Sequence, residues 1–216
     1  MHTSKKNATF APKMNLILHS DMAMCTEEDV SRLLPLVSQQ RREQALRFKH
    51  LFGRWTSLKA YELLLRLLYP DTPLEQLPSA ALPVFEYNEY GRPFIAGGPC
   101  FSISHCREAV AVAVSDTPVG VDVESVRRFD EALVRRTMNE EEQRCIFAAE
   151  EPARAFIRLW TQKEAVLKLR GTGIVNDLAN VLSNTPLKTS SETPSDMFSL
   201  RTIDYPHFIL SIALFP

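Results

Sequence analysis

Ala109-Val110-Ala111-Val112-Ala113-Val114-Ser115-Asp116-Thr117-Pro118-Val119-Gly120-Val121-Asp122-Val123-Glu124 is the stretch on which the reading of this chain turns. Two valine-rich runs flank an Asp-Thr-Pro tripeptide. Branched side chains suit a pleated surface and the tripeptide is turn chemistry, so the stretch predicts two strands joined by a tight turn. In the second run the valines alternate with Gly120, Asp122 and Glu124. Strand side chains point to opposite faces in turn, so the valines should enter a core and leave both carboxylates on the other face. Same-face Cα atoms lie about 6 to 7 Å apart, a spacing from which two carboxylates converge on one hard cation. The missing side chain at Gly120 would let a ligand approach the backbone beside them. A strand face that is merely acidic is the plainer reading of the same residues.

Outward from this stretch the chain alternates helical and extended signals. Met14 to Leu18 predicts a short strand, and Thr26 with Asp29 three residues on predicts a helix start. Leu58, Tyr61, Leu65 and Leu68 recur at helical spacing, which predicts a helix from Trp55 to Leu68 closed by Pro70. Pro70, Pro73, Pro78 and Pro83 make the following segment a surface loop. Farther on, Asn139-Glu140-Glu141-Glu142 places a capping side chain before acids that favour the helix dipole. Ala153 to Arg170 predicts a strong helix, stopped by Gly171 and Gly173. Residues 183 to 196 read as a Ser/Thr/Pro-rich flexible loop, and His207 to Leu214 as a buried strand. No internal repeat is legible.

With 216 residues, 45% of them hydrophobic and 24% charged, the chain is long and apolar enough to build a core, as one domain or two small ones. A net charge of −1 offers no general attraction for nucleic acid or an anionic membrane, so any anion site must be local. The apolar run after Lys5, Lys6 and Lys13 is too short for a secretory signal, and no run is long enough to span a membrane. Cys25, Cys100, Cys106 and Cys145 form no C-x-x-C pair and read as reduced thiols of a cytoplasmic protein. Cys100, His105 and Cys106 suggest zinc, but a fourth nearby ligand is missing and the segment suits a strand better than a metal knuckle.

Two further segments carry polar side chains in suggestive places. In a helix, Trp160, Glu164 and Lys168 form one stripe, which is either a solvated ion pair beside a packed ring or a functional face. Phe101-Ser102-Ile103-Ser104-His105 precedes the valine-rich stretch, and Gly91-Arg92-Pro93 puts a cation at a turn. Between residues 41 and 66, Arg41, Arg42, Arg47, Lys49, Arg54, Lys59 and Arg66 face only Glu43 and Glu62. That excess serves equally as a solvated helix face or as a phosphate site.

Together, Phe101-Ser102-Ile103-Ser104-His105, Gly120-Val121-Asp122-Val123-Glu124 and Trp160-x-x-Lys163-Glu164-Ala165-x-x-Lys168-x-x-Gly171-x-Gly173 resemble, in order and separation, the surfactin-synthetase type of 4′-phosphopantetheinyl transferase. The resemblance implies an α+β fold of two similar halves in pseudo-twofold arrangement, each with a small antiparallel sheet and a long helix. Residues 1–117 would form the nucleotide side of a coenzyme A cleft, and 118–216 would carry the metal-binding carboxylates and the catalytic helix. It implies transfer of phosphopantetheine from coenzyme A to a serine of an apo acyl or peptidyl carrier protein; the alternative is a non-catalytic module that only grips a nucleotide or carrier. Asp122, Glu124 and Glu164 would hold Mg²⁺, His105 would meet the 3′-phosphate, and Ser104 and Arg92 would lie near the nucleotide. Arg41 and Arg54 would add phosphate or adenine contacts, and Gln44 stands where some relatives carry a base. Glu164 would take the serine proton, Lys168 would stabilise the departing phosphate, and Lys163 would assist. Two halves in one chain would complete the cleft, so a monomer is expected.

Overall fold

The computed structural model describes residues 13–22, 25–128, 130–173, 178–182 and 198–215; the loop expected over 183 to 196 lies outside the described residues. In chain order the elements are β1 (Met14–His19), α1 (Glu27–Leu33), α2 (Gln39–Leu46), α3 (Leu51–Leu68), β2 (Glu86–Tyr87), β3 (Pro93–Phe94), β4 (Cys100–His105) and β5 (Val110–Ser115). Then follow β6 (Val119–Ser125), α4 (Glu131–Thr137), α5 (Glu140–Ala148), α6 (Pro152–Arg170), β7 (Ser199–Asp204) and β8 (Phe208–Leu214).

The strands form two antiparallel three-stranded sheets, ordered β1-β5-β4 and β6-β8-β7, and β2 and β3 make a separate hairpin. Both valine-rich runs are strands, but they do not pair: β5 lies between β1 and β4, whereas β6 pairs with β8. Asp116 to Pro118 therefore carries the chain from one sheet to the other. The reason is that β5 is apolar on both faces. Its valines, Val110, Val112 and Val114, pack against α3, while Ala109, Ala111 and Ala113 pack against Val119, Val121 and Val123 of the second sheet. A hairpin would have left one of those faces in water; stacking the sheets face to face buries both.

Each sheet carries helices on its outer side. The first packs under α1 and α3, and the second under α6, through Ala165, Val166, Leu169 and Ala213. Apart from the β2–β3 hairpin, which only the first side has, strand, three α-helices, two strands is the order among the described residues on both sides of Pro118, and both three-stranded sheets place their strands first, third, second.

Local signals account for most helix ends. Thr26 with Asp29 and Asn139 with Glu142 are full capping boxes, and Gly171 ends α6 in the left-handed region at φ 71°. α3 begins at Leu51, four residues before the expected start; His50 caps it without a side-chain hydrogen bond, so no capping residue marks that start in the sequence. The Pro-rich loop after it is stitched back by Tyr61 Oη to the Pro83 carbonyl at 2.6 Å and Tyr69 Oη to the Ala81 carbonyl at 2.7 Å. Among the described residues no helix is long and apolar enough to cross a membrane.

Candidate active site

The acidic face of β6 points at α6, as strand alternation requires. Gly120 sits on that face, but what approaches it is the helix: a Cβ built there would lie 1.9 Å from the Ala165 carbonyl oxygen and 2.5 Å from the Leu169 amide nitrogen. The expected ligand approach at Gly120 is thus corrected. Its missing side chain lets α6 close onto β6, which brings Glu164 and Lys168 beside Asp122.

Asp122 is 3% exposed. Its Oδ1 accepts from Lys168 Nζ at 2.6 Å and from Ser104 Oγ at 2.8 Å. Its Oδ2 and Glu164 Oε1 are buried without a hydrogen-bond partner. Burial first, and then the Asp122 charge, push the Glu164 carboxyl above the usual carboxylate range, against the pull of Lys168. Glu124 is raised as well, by burial and then by Asp122, and Arg127 stands 3.9 Å from it. Two carboxyls pushed up beside a third mark a place where a cation would be welcome.

Among the described residues no three His, Cys, Asp or Glu side chains are gathered into a closed metal cluster. The donor chemistry still fits Mg²⁺, which keeps several waters and draws on one or two carboxylates plus phosphate oxygens. The two partnerless oxygens of Asp122 and Glu164 are that kind of donor.

Two cavities flank the cluster and share Pro93 and Ile103 along their border. One, of about 230 Å³, is lined by Arg92, Ser102, Glu164 and Lys168 among others. The second, of about 280 Å³, holds Arg41, Gln44 and His105 among aromatic rings. Arg41 lies 4.8 Å from the Phe85 ring centroid and 5.5 Å from that of Tyr61, and it donates to Ser57 Oγ at 3.3 Å. Burial loosens its hold on its proton, and no acid partners it among the described ion pairs, as suits a site for an anion. His105 keeps solvent contact at the end of β4; desolvation and then the Lys168 charge hold its pKa below the ordinary value.

The other predicted residues are placed differently. Lys163 does not join the cleft: it is 1% exposed, pairs with Glu142 at 2.6 Å and donates to the carbonyls of Thr137, Leu178 and Ala179. One residue along a helix is a rotation of about 100°, which turns it away from the face that Glu164 occupies. Arg54 lines neither cavity and is engaged with the Phe48 carbonyl and Glu27. Arg92 borders the cleft, but its guanidinium donates to the carbonyls of Leu169 and Val119, and Asn88 Nδ2 donates to that of Gly171, so the β2–β3 hairpin caps the C-terminus of α6. Trp160 packs on Phe156, ring centroids 5.9 Å apart, against the core cluster that holds Ile157 and Ile209. Ser102 escaped the sequence reading, although its two-residue spacing from Ser104 already put both hydroxyls on one face of β4.

A family model described as the 4′-phosphopantetheinyl transferase superfamily matches residues 118–205, beginning where the chain enters the second sheet. The chain is 31% identical over 159 residues to 4′-phosphopantetheinyl transferase psf-1 of Bacillus pumilus, covering 71% of this chain and 66% of that protein. It is 30% identical over 143 residues to the gsp transferase of Aneurinibacillus migulanus, covering 64% and 57%. To the AcpT transferase of Salmonella typhi it is 36% identical over 139 residues, covering 60% and 71%. The chain thus spans slightly less than two thirds of the Bacillus pumilus relative and still less of the Aneurinibacillus one.

Proposed function

Because the chain belongs to the 4′-phosphopantetheinyl transferase superfamily, we propose that it moves the phosphopantetheine arm of coenzyme A onto a serine of an apo acyl or peptidyl carrier protein. The observation that carries this reading is the pair of partnerless buried oxygens on Asp122 and Glu164, beside Lys168 and between two cavities. The site asks for positive charge and offers room for a diphosphate.

In this reading the carrier hydroxyl attacks the β-phosphorus of coenzyme A. The new O–P bond forms as the bond to the bridging oxygen breaks, and adenosine 3′,5′-bisphosphate leaves. Mg²⁺, held by Asp122 and Glu164 with Glu124 alongside, would neutralise the charge of the pyrophosphate. Glu164 accepts the serine proton, directly or through water. Lys168, anchored on Asp122, faces the phosphate that departs. Arg41 and His105 meet the 3′-phosphate in the aromatic cavity. The repeated element order supports a pseudo-twofold pair of halves, 1–117 and 118–216, with the cleft at their seam. Both halves line that cleft within one chain, which favours a monomer, and four free cysteines suit the cytoplasm.

Incubation with coenzyme A, Mg²⁺ and a panel of apo carriers, followed by weighing the carriers, tests the proposal. A gain of one phosphopantetheine on the carrier serine is expected. Unchanged mass on every carrier, with coenzyme A still bound, would leave the protein a binding module.

A further inference from the structure

β4 and β6 are edge strands of different sheets, and each presents one row of backbone groups with no neighbour in its own ladder. Such groups, when buried, need partners. Two serines supply them: Ser102 Oγ accepts from the Val121 amide at 2.9 Å and Ser104 Oγ from the Val123 amide at 3.2 Å. Both serines are 7% exposed. Up to this point they are equivalent struts between the sheets. They differ in where the hydroxyl proton goes, because Ser104 donates to Asp122 Oδ1.

We propose that Ser104 is a positioning residue for Asp122, holding the carboxylate by Oδ1 so that Oδ2 is presented to a cation bound with the diphosphate. This rests on the proposed function, and it departs from the expectation that Ser104 contacts the nucleotide. The Val123 amide fixes the serine oxygen, the serine proton fixes Oδ1, and Lys168 takes the same oxygen from the helix side. With Oδ1 occupied twice, the carboxylate cannot turn without breaking both bonds, and Oδ2 is left buried and unpaired. Groups that orient a ligand oxygen in this way affect ion affinity by about 10- to 100-fold.

Ser102 provides the control: it also borders the first cavity and does the same work for β6, with its oxygen on the Val121 amide, but makes no hydrogen bond to the carboxylate. The wild type and the variants Ser102→Ala, Ser104→Ala and Ser104→Thr are compared by thermal midpoint and by Mn²⁺ titration in the presence of coenzyme A, without carrier. The two alanine variants should lose similar thermal stability. Only Ser104→Ala should weaken Mn²⁺ binding, by about tenfold or more, and Ser104→Thr, which keeps the hydroxyl, should restore it. Equal weakening in Ser102→Ala and Ser104→Ala, or no weakening in Ser104→Ala, overturns the proposal, as does a wild type that binds no Mn²⁺ with coenzyme A. A protein that gives the expected Mn²⁺ series yet charges no carrier would overturn the transferase reading alone.

Discussion

α3 and α6 each carry a glutamate and a base at the same place and surround them differently. Six residues before its last residue each helix has a glutamate, and four residues later a base: Glu62 with Arg66, and Glu164 with Lys168. Glu62 is saturated, taking Lys59 and Arg66 at 2.7 Å each. Burial alone would push its pKa up, but the hydrogen bonds and charges of Lys59 and Arg66 together outweigh that and hold it below the usual range. Glu164 moves the other way: burial raises it first, the Asp122 charge of the strand beneath raises it further, and only Lys168 pulls against them. The fourth residue of β6 is Asp122; the fourth of β1 is Ile17, which packs into the core under α3. A buried carboxylate is held ionised where cations saturate it, and is pushed toward its neutral form where burial and a second carboxylate act together.

The widest way to break this comparison is to neutralise each glutamate. Glu164→Gln should lower carrier modification by about 10²- to 10³-fold, whereas Glu62→Gln should leave the rate per folded molecule within about twofold; carrier mass against time measures both. Similar losses in the two would mean that Glu164 is also only structural.

The residue before each glutamate sharpens the comparison, since both Tyr61 and Lys163 are 1% exposed and donate to carbonyls of a crossing segment. Lys163→Met should cost about 3 kcal/mol, because it leaves Glu142 charged without its counter-ion, and Tyr61→Phe about 1 kcal/mol. Urea unfolding reads both, and Lys163→Met should retain its activity per folded molecule if the ammonium never meets phosphate.

A third contrast lies at the second strand position, where Gly120 faces helix backbone and Asn15 is exposed. Gly120→Ala should destabilise by about 2 kcal/mol and lower activity as α6 is pushed away, while Asn15→Ala should stay within about 0.5 kcal/mol. The smallest effect is in the pH dependence of Glu62. A depressed folded-state pKa contributes stability above the unfolded value, near 4.3 for a glutamate, that is lost as pH falls through the folded one. The stability gap between wild type and Glu62→Gln should therefore be full at pH 7 and close below about pH 4.

Much of the site was legible because its parts are local. Strand alternation put Asp122 and Glu124 on one face, helix spacing put Glu164 and Lys168 on another, and the caps at Thr26, Asn139 and Gly171 marked helix ends. α2 and β7 were not legible: the first is polar almost throughout, and the second is an edge strand without clean alternation of buried and exposed residues. The partners of β5 and β6 were not legible, because a period of two tells which side chains share a face, not which strand lies alongside. Lys163 and Lys168 belong to one motif, yet burial, Glu142 and the carbonyls of Thr137, Leu178 and Ala179 make the first a staple.

The sequence by itself determined two valine-rich strands, a long glycine-stopped helix, and the acids and base that they carry, because sterics and periodicity act over a few neighbouring residues. Only the tertiary structure decided that the strands enter different sheets, that Gly120 admits a helix, and that Ser104 and Lys168 grip one oxygen of Asp122. Those partners stand 18 and 46 residues from Asp122 along the chain, and packing alone brings them together.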